Sequence, residues 1–157
     1  MKIELWVIGK TKDNYLKDGE AEYIKRIKRY MAVEVSTIDI PAWPASLSAA
    51  EIKGKESQLV LAKLKPDDYL IALDERGAQV KSEELAQQMQ SWMNAGYKRL
   101  VFLVGGAWGL DDALKQRSNW QLSLSKLTFT HQMVRLIFLE QIYRAFTILN
   151  NEPYHNS

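Results

Sequence analysis

An α/β fold, with a mostly parallel sheet covered by helices on both faces, is the architecture this sequence predicts. Three observations predict it. Short apolar runs alternate with segments of helical periodicity along the chain. The run at residues 100–104 is almost wholly apolar, as an interior parallel strand must be when helices cover both its sides. That run ends in Gly105-Gly106, where missing side chains let the backbone turn tightly and approach a ligand.

Residues 2–8 read as a strand ending at Gly9. From residue 13 to about 31, Leu16, Tyr23, Ile24, Ile27 and Tyr30 recur at helical spacing, with Lys25, Arg26, Lys28 and Arg29 between them. A second strand at 33–40 runs into Pro41-Ala42-Trp43-Pro44, which cannot continue regular structure. Ser48 with Glu51 forms a capping box for a helix reaching about Leu64. Pro66-Asp67 breaks that helix, residues 69–73 form a third strand, and Asp74-Glu75-Arg76-Gly77 is predicted to turn the chain. Ser82, with Glu83 and Glu84 in the first turn, opens a helix that Gly96 stops after Asn94. The fourth strand, 100–104, leads through Gly105-Gly106-Ala107-Trp108-Gly109 to Asp111 and a short helix ending near Ser118. Residues 120–124 form the fifth strand, and Thr130 caps a long closing helix.

Bulk properties narrow the function. With 46% hydrophobic and 25% charged residues over 157 positions, the chain suits one ordinary globular domain. Cysteine is absent and the two histidines lie far apart in sequence, which argues against disulfides, thiolate chemistry and a zinc site. No signal-like core opens the chain, and Arg135, Glu140 and Arg144 make the closing helix too polar for a membrane span, so a cytoplasmic protein is expected. The net charge of +2 is uneven: the first 31 residues hold eight Lys and Arg against five acids, either a basic face or a solvated helix face.

The glycine loop lacks both G-x-G-x-x-G and a following Gly-Lys-Ser/Thr, and Asp111-Asp112 would repel a phosphate at the next helix start. A ligand without phosphates is favoured. An adenosine carrying positive charge, such as S-adenosylmethionine, fits: Gly105 lets the backbone approach, Leu73 supplies an apolar wall, and main-chain groups of Leu124, Ser125, Lys126, Leu127, Thr128 and Phe129 read the adenine edge. The alternative is that the double glycine only turns the chain. The closing helix has no sector that is polar throughout, so one covering layer cannot bury it, and a homodimer is expected.

The run Leu124-Ser125-Lys126-Leu127-Thr128-Phe129-Thr130-His131-Gln132-Met133-Val134-Arg135, followed by Leu139-Glu140-Gln141-Ile142-Tyr143-Arg144-Ala145 and by Tyr154-His155, resembles the RlmH family. These are bacterial 23S rRNA pseudouridine N3-methyltransferases of the SPOUT superfamily, and the resemblance starts at Lys2-Ile3-Glu4-Leu5. It implies a carboxy-terminal trefoil knot, a homodimer, S-adenosylmethionine held at Leu73, Gly105 and Leu124 through Phe129, and the assembled ribosome as substrate. This chain departs from the family pattern at Thr130, usually Pro, and at Ala107-Trp108 in the middle of the glycine loop.

Methyl transfer from a sulfonium to a ring nitrogen needs no metal and no protein nucleophile; it needs alignment and removal of the N3 proton. Tyr154 and His155 are the first candidates for orienting and deprotonating the base, in a neighbouring subunit's pocket. Arg144 is a catalytic candidate with Glu140 at ion-pair spacing; Arg135 and His131, four residues apart, are candidate RNA contacts, although either histidine or arginine also suits a structural role. Trp43 either stacks on a flipped base or packs its loop. The rival readings are an enzyme of the same class acting on another RNA such as tRNA, and a noncatalytic RNA- or nucleotide-binding module.

Overall fold

Alternation of apolar side chains decides which face of the sheet each residue serves. The computed structural model describes residues 1–156 and contains five parallel strands in the order β2-β1-β4-β3-β5. These are β1 (Lys2–Ile8), β2 (Ala32–Ile38), β3 (Tyr69–Gln79), β4 (Arg99–Val104) and β5 (Trp120–Ser123). Five helices connect or follow them: α1 (Asn14–Ile27), α2 (Ala49–Lys63), α3 (Ser82–Asn94), α4 (Asp112–Arg117) and α5 (Met133–Leu149). Ile3, Leu5 and Val7 of β1 point with Phe102, Val104 and Ile71 into a layer roofed by α1, α3 and α5. Their neighbours Trp6, Ile8, Leu70, Ala72, Val101 and Leu103 point the other way, against Val60 of α2 and Leu114 of α4. The expected doubly covered sheet is present, three helices deep on one face and two on the other.

Local signals account for the ends of several elements. Ser48 Oγ accepts from Glu51 N–H at 3.2 Å while the Glu51 carboxylate accepts from Ser48 N–H at 2.7 Å, which is the capping box of α2. Asp111 caps α4 by accepting from Leu114 N–H at 3.0 Å. Thr130 Oγ1 accepts from Met133 N–H at 3.1 Å, so it does serve the entrance of α5, one turn ahead of the first regular residue. Strand β2 stops at Ile38, two residues short of the expected Ile40, because β1 beside it has run out at Ile8.

One expectation fails. Residues 74–77 do not turn the chain back; the backbone stays extended to Gln79. Leu73 and Ala78 both pair with Leu122 of β5, so the four residues between them bulge sideways from the sheet. The Asp74 carboxylate stabilises the bulge by accepting from Arg76 N–H at 2.9 Å and pairing with Lys115 Nζ at 2.9 Å. A side chain at Gly77 would stand 2.7 Å from the Gln121 backbone, so glycine alone lets β5 pass this close.

Helix α5 lies between α1 and α3 above the sheet. Phe138, Leu139, Ile142, Ala145 and Phe146 are buried, and Leu136 packs where a side chain at Gly19 of α1 would be, 2.8 Å away. Met133, Val134, Leu136, Ile137, Ile148 and Leu149 remain only partly covered. Among the described residues no helix is long and apolar enough to cross a membrane, and no cluster of metal-binding side chains occurs.

Candidate active site

A cavity of about 500 Å³ opens at the carboxyl ends of β3, β4 and β5, where an open parallel sheet offers its ligand crevice. Its floor is Val104, Gly105 and Leu122; its sides are the bulge of β3, the glycine loop, and residues 123–125 and 127–129. The glycine loop is a tight turn: Gly109 N–H donates to Gly106 C=O at 3.0 Å, and Gly109 has a φ of +80°. Gly105 lies beneath that turn, and a Cβ there would stand 2.9 Å from the Gly109 carbonyl carbon. The facing loop is set by two serines. Ser123 Oγ donates to Ser125 C=O at 3.0 Å, and Ser125 Oγ accepts from Leu127 N–H at 2.9 Å.

Of the expected cofactor contacts, Leu73, Gly105, Leu124, Ser125, Leu127, Thr128 and Phe129 line this cavity, whereas Lys126 is exposed and outside its wall. Sequence reasoning missed Asp74, Glu75, Arg76, Lys53 and Lys115. The first three enter only because β3 bulges, and the lysines come from the second face of the sheet. The wall carries Asp74, Glu75 and Asp112 against Lys53, Arg76 and Lys115, a balance of three and three. Burial alone would raise the Asp74 carboxyl, but Lys115 and Arg76 N–H hold it below the usual range, so this pair is ionised and mutually satisfied.

His131 sits at the cavity edge, half-buried. Burial, with Arg135 and Lys12 nearby, pushes its pKa below the usual value, leaving the imidazole neutral at pH 7. Arg135 requires a correction. Expected to contact RNA, it is wholly buried: Nη1 donates to Thr11 Oγ1 at 2.9 Å and Nη2 to Ile8 C=O at 2.8 Å. Thr11 donates in turn to Glu20 at 2.8 Å. The guanidinium is a strut between α5 and the β1–α1 loop, because its helical position falls on the inward stripe with Phe138 and Leu139. Arg135→Met is expected to lower stability by about 2–4 kcal/mol, since Ile8 C=O and Thr11 Oγ1 lose their buried donor; an unshifted urea midpoint would contradict this.

Tyr154, His155 and Arg144 come together, but not at the cavity. Asn151, at φ +54°, reverses the chain after α5 and lays the tail back on the helix. Tyr154 Oη donates to Glu140 at 2.9 Å, its ring meets Tyr143 edge-on at 4.7 Å, and the Arg144 guanidinium lies 4.8 Å from its centre. Arg144 also pairs with Glu140, as their spacing implied, and approaches His155 Nδ1 at 3.3 Å. His155 Nε2 faces Glu83 at 3.1 Å; with Arg144 donating to Nδ1, the proton belongs on Nε2. Val134 lines the cavity and Arg144 follows ten residues later, about 15 Å along the helix at 1.5 Å per residue. Trp43 is half-buried, with Lys55 Nζ 5.7 Å from the centre of its ring, and it is not part of this cavity's wall.

The family model described as "Predicted SPOUT methyltransferase" matches residues 1–155. The chain belongs to the SPOUT methyltransferase family. This SPOUT methyltransferase is 46% identical over 156 residues to the ribosomal RNA large subunit methyltransferase H of Cytophaga hutchinsonii, covering 99% of this chain and 100% of the relative. It is 47% identical to the protein of the same name from Parabacteroides distasonis, covering 99% of both. A probable methyltransferase from Bordetella pertussis Tohama I has the same fold at 12% identity, with a TM-score of 0.57 over 92% of this chain and 95% of that one. As a methyltransferase, the chain works with a methyl donor.

Proposed function

We propose that the chain transfers a methyl group from S-adenosylmethionine to N3 of a pseudouridine in 23S rRNA of the large ribosomal subunit. It acts as a cytoplasmic, single-domain homodimer with a knotted carboxy-terminal half, on assembled ribosomes. The observation that carries the reading is the cavity itself. Its volume suits one small ligand, a Cβ at Gly105 would press apart the turn that shapes its floor, and its balanced charges leave no surplus of cations for a polyphosphate. Full-length likeness to enzymes named for the large-subunit ribosomal RNA supports the substrate.

The cofactor, when bound, supplies a methyl group already activated on a positive sulfonium. The residues of the chain do the rest. Glu75 and Asp112 offer carboxylates to a cationic ligand, because Asp74 is neutralised by Lys115. Leu73 and Leu122 exclude water at the floor, while Leu124, Ser125, Thr128 and Phe129 retain the main-chain groups that read an adenine edge. Leu127 N–H is committed to Ser125.

A partner's tail completes the site. Tyr154 orients the base, His155 receives its N3 proton at Nδ1, the ring nitrogen that carries none, and Arg144, held by Glu140, stabilises the resulting anion. The partly covered apolar side chains of α5 support the dimer, and His131 meets the RNA at the cavity edge. Lys17, Lys25, Lys28 and Arg29 of the α1 region hold rRNA phosphates.

Titration calorimetry is expected to show one S-adenosylmethionine site per chain. Mass spectrometry of 23S rRNA from a strain lacking the gene is expected to show one pseudouridine short of a methyl group. No heat with the methyl donor, or an unchanged 23S map, would reject the reading.

A further inference from the structure

We propose that Trp108 is a stacking platform for a nucleobase of the RNA beside the one that enters the cavity. The inference rests on the reading of the cavity given above and assigns a residue that recognises its substrate. Among the described residues the large exposed apolar side chains are Tyr15, Ile40, Trp108 and Leu127, and two of these four, Trp108 and Leu127, stand on the cavity wall. The Trp108 indole is 57% exposed and Leu127 is 73% exposed. Apolar groups concentrated at the mouth of one cavity mark a surface built to be covered.

The mounting is rigid. Trp108 sits at the tip of a turn closed by Gly109 N–H on Gly106 C=O at 3.0 Å, with an isolated bridge between the same two glycines. Beneath it Gly105 is packed against Gly109, and beyond it Asp111 fixes the loop to α4. A side chain held this way loses little freedom on binding, which favours a flat partner.

The surroundings choose the occupant. Glu75, Arg76 and Asp112 lie on the same wall as Trp108, and charged side chains are depleted from the centre of a subunit interface. The cofactor's walls are the buried Val104, Gly105 and Leu122, deeper than the exposed indole. Lys53 and Arg76 on that wall suit a phosphate backbone. RNA presented with splayed bases is recognised by aromatic stacking, and removing one nucleotide from a stack leaves its neighbour with a bare face.

The test compares Trp108→Ala and Trp108→Phe with the unaltered chain, using ribosomes from a strain lacking the gene. Trp108→Ala is expected to raise KM for ribosomes on the order of tenfold, the loss of one base–aromatic stack. Trp108→Phe should recover most of that loss, while calorimetric affinity for S-adenosylmethionine and sedimentation stay as in the unaltered chain. An unchanged KM overturns the inference. So does weakened S-adenosylmethionine binding, which would make the indole a cofactor wall, or dissociation in the centrifuge, which would make it a subunit contact. Absence of S-adenosylmethionine binding by the unaltered chain would instead overturn the underlying reading, and this inference with it.

Discussion

A chain ending at Pro153 is expected to lose methyl transfer by roughly a hundredfold or more, the scale of a missing proton acceptor, while its affinity for S-adenosylmethionine is unchanged. The tail supplies Tyr154 and His155, and neither lines the cavity proposed for the donor. Tyr154 occupies one side of the Glu140 carboxylate and one face of Arg144. Removing it therefore disturbs a local cluster and leaves the glycine loop, β3 and β5 intact. Single-turnover rates beside calorimetry check this. Normal turnover in the shortened chain would remove the tail from the mechanism, and a parallel loss of donor affinity would make its role structural.

Gly105→Val is expected to give the opposite pattern: no detectable S-adenosylmethionine binding, with the tail cluster untouched. Its Cβ would stand 2.9 Å from the Gly109 carbonyl carbon and 3.1 Å from both its oxygen and Leu110 Cδ2. Backbone cannot yield as a flexible side chain can, so the turn must open and the floor of the cavity is lost. Gly105→Ala, with the same first atom but less bulk, guards against simple misfolding; retained donor affinity in a folded Gly105→Ala chain would show that the loop is not the floor. The two lesions can then be combined across subunits. Co-expressed with the shortened chain under a second affinity tag, the Gly105→Val chain should form a mixed dimer that regains activity, one subunit lending its tail to the other's cavity. A mixed dimer as inactive as its parents would place tail and cavity in the same chain.

Most helices and strands were legible because each rests on a local signal. The Ser48–Glu51 box, Asp111 before α4 and the apolar run of β4 act within a few residues of their effect. The bulge at residues 74–77 was not legible, because Lys115 is 41 positions away from Asp74 and β5 passes beside Gly77 only after folding. For the same reason the cavity's apolar contacts could be named in advance while Lys53, Glu75, Arg76 and Lys115 could not. Arg135 was misread because spacing places it on a stripe without saying which way the stripe faces. The Tyr154–His155 pair was recognised as a motif, but its seat depends on Glu83, Tyr23 and Glu140 from three separate helices.

The unequal covering of the sheet, three helices against two, divides the molecule's tolerance for change. Lys53 of α2 with Asp112 and Lys115 of α4 meet the cavity while Val60 and Leu114 hold the two helices to the sheet, so the polar side of this thinner layer is where a designer can retune ligand preference. The thicker layer carries α5 and everything anchored to it, and alterations there would be felt at both the entrance of that helix and the folded-back tail.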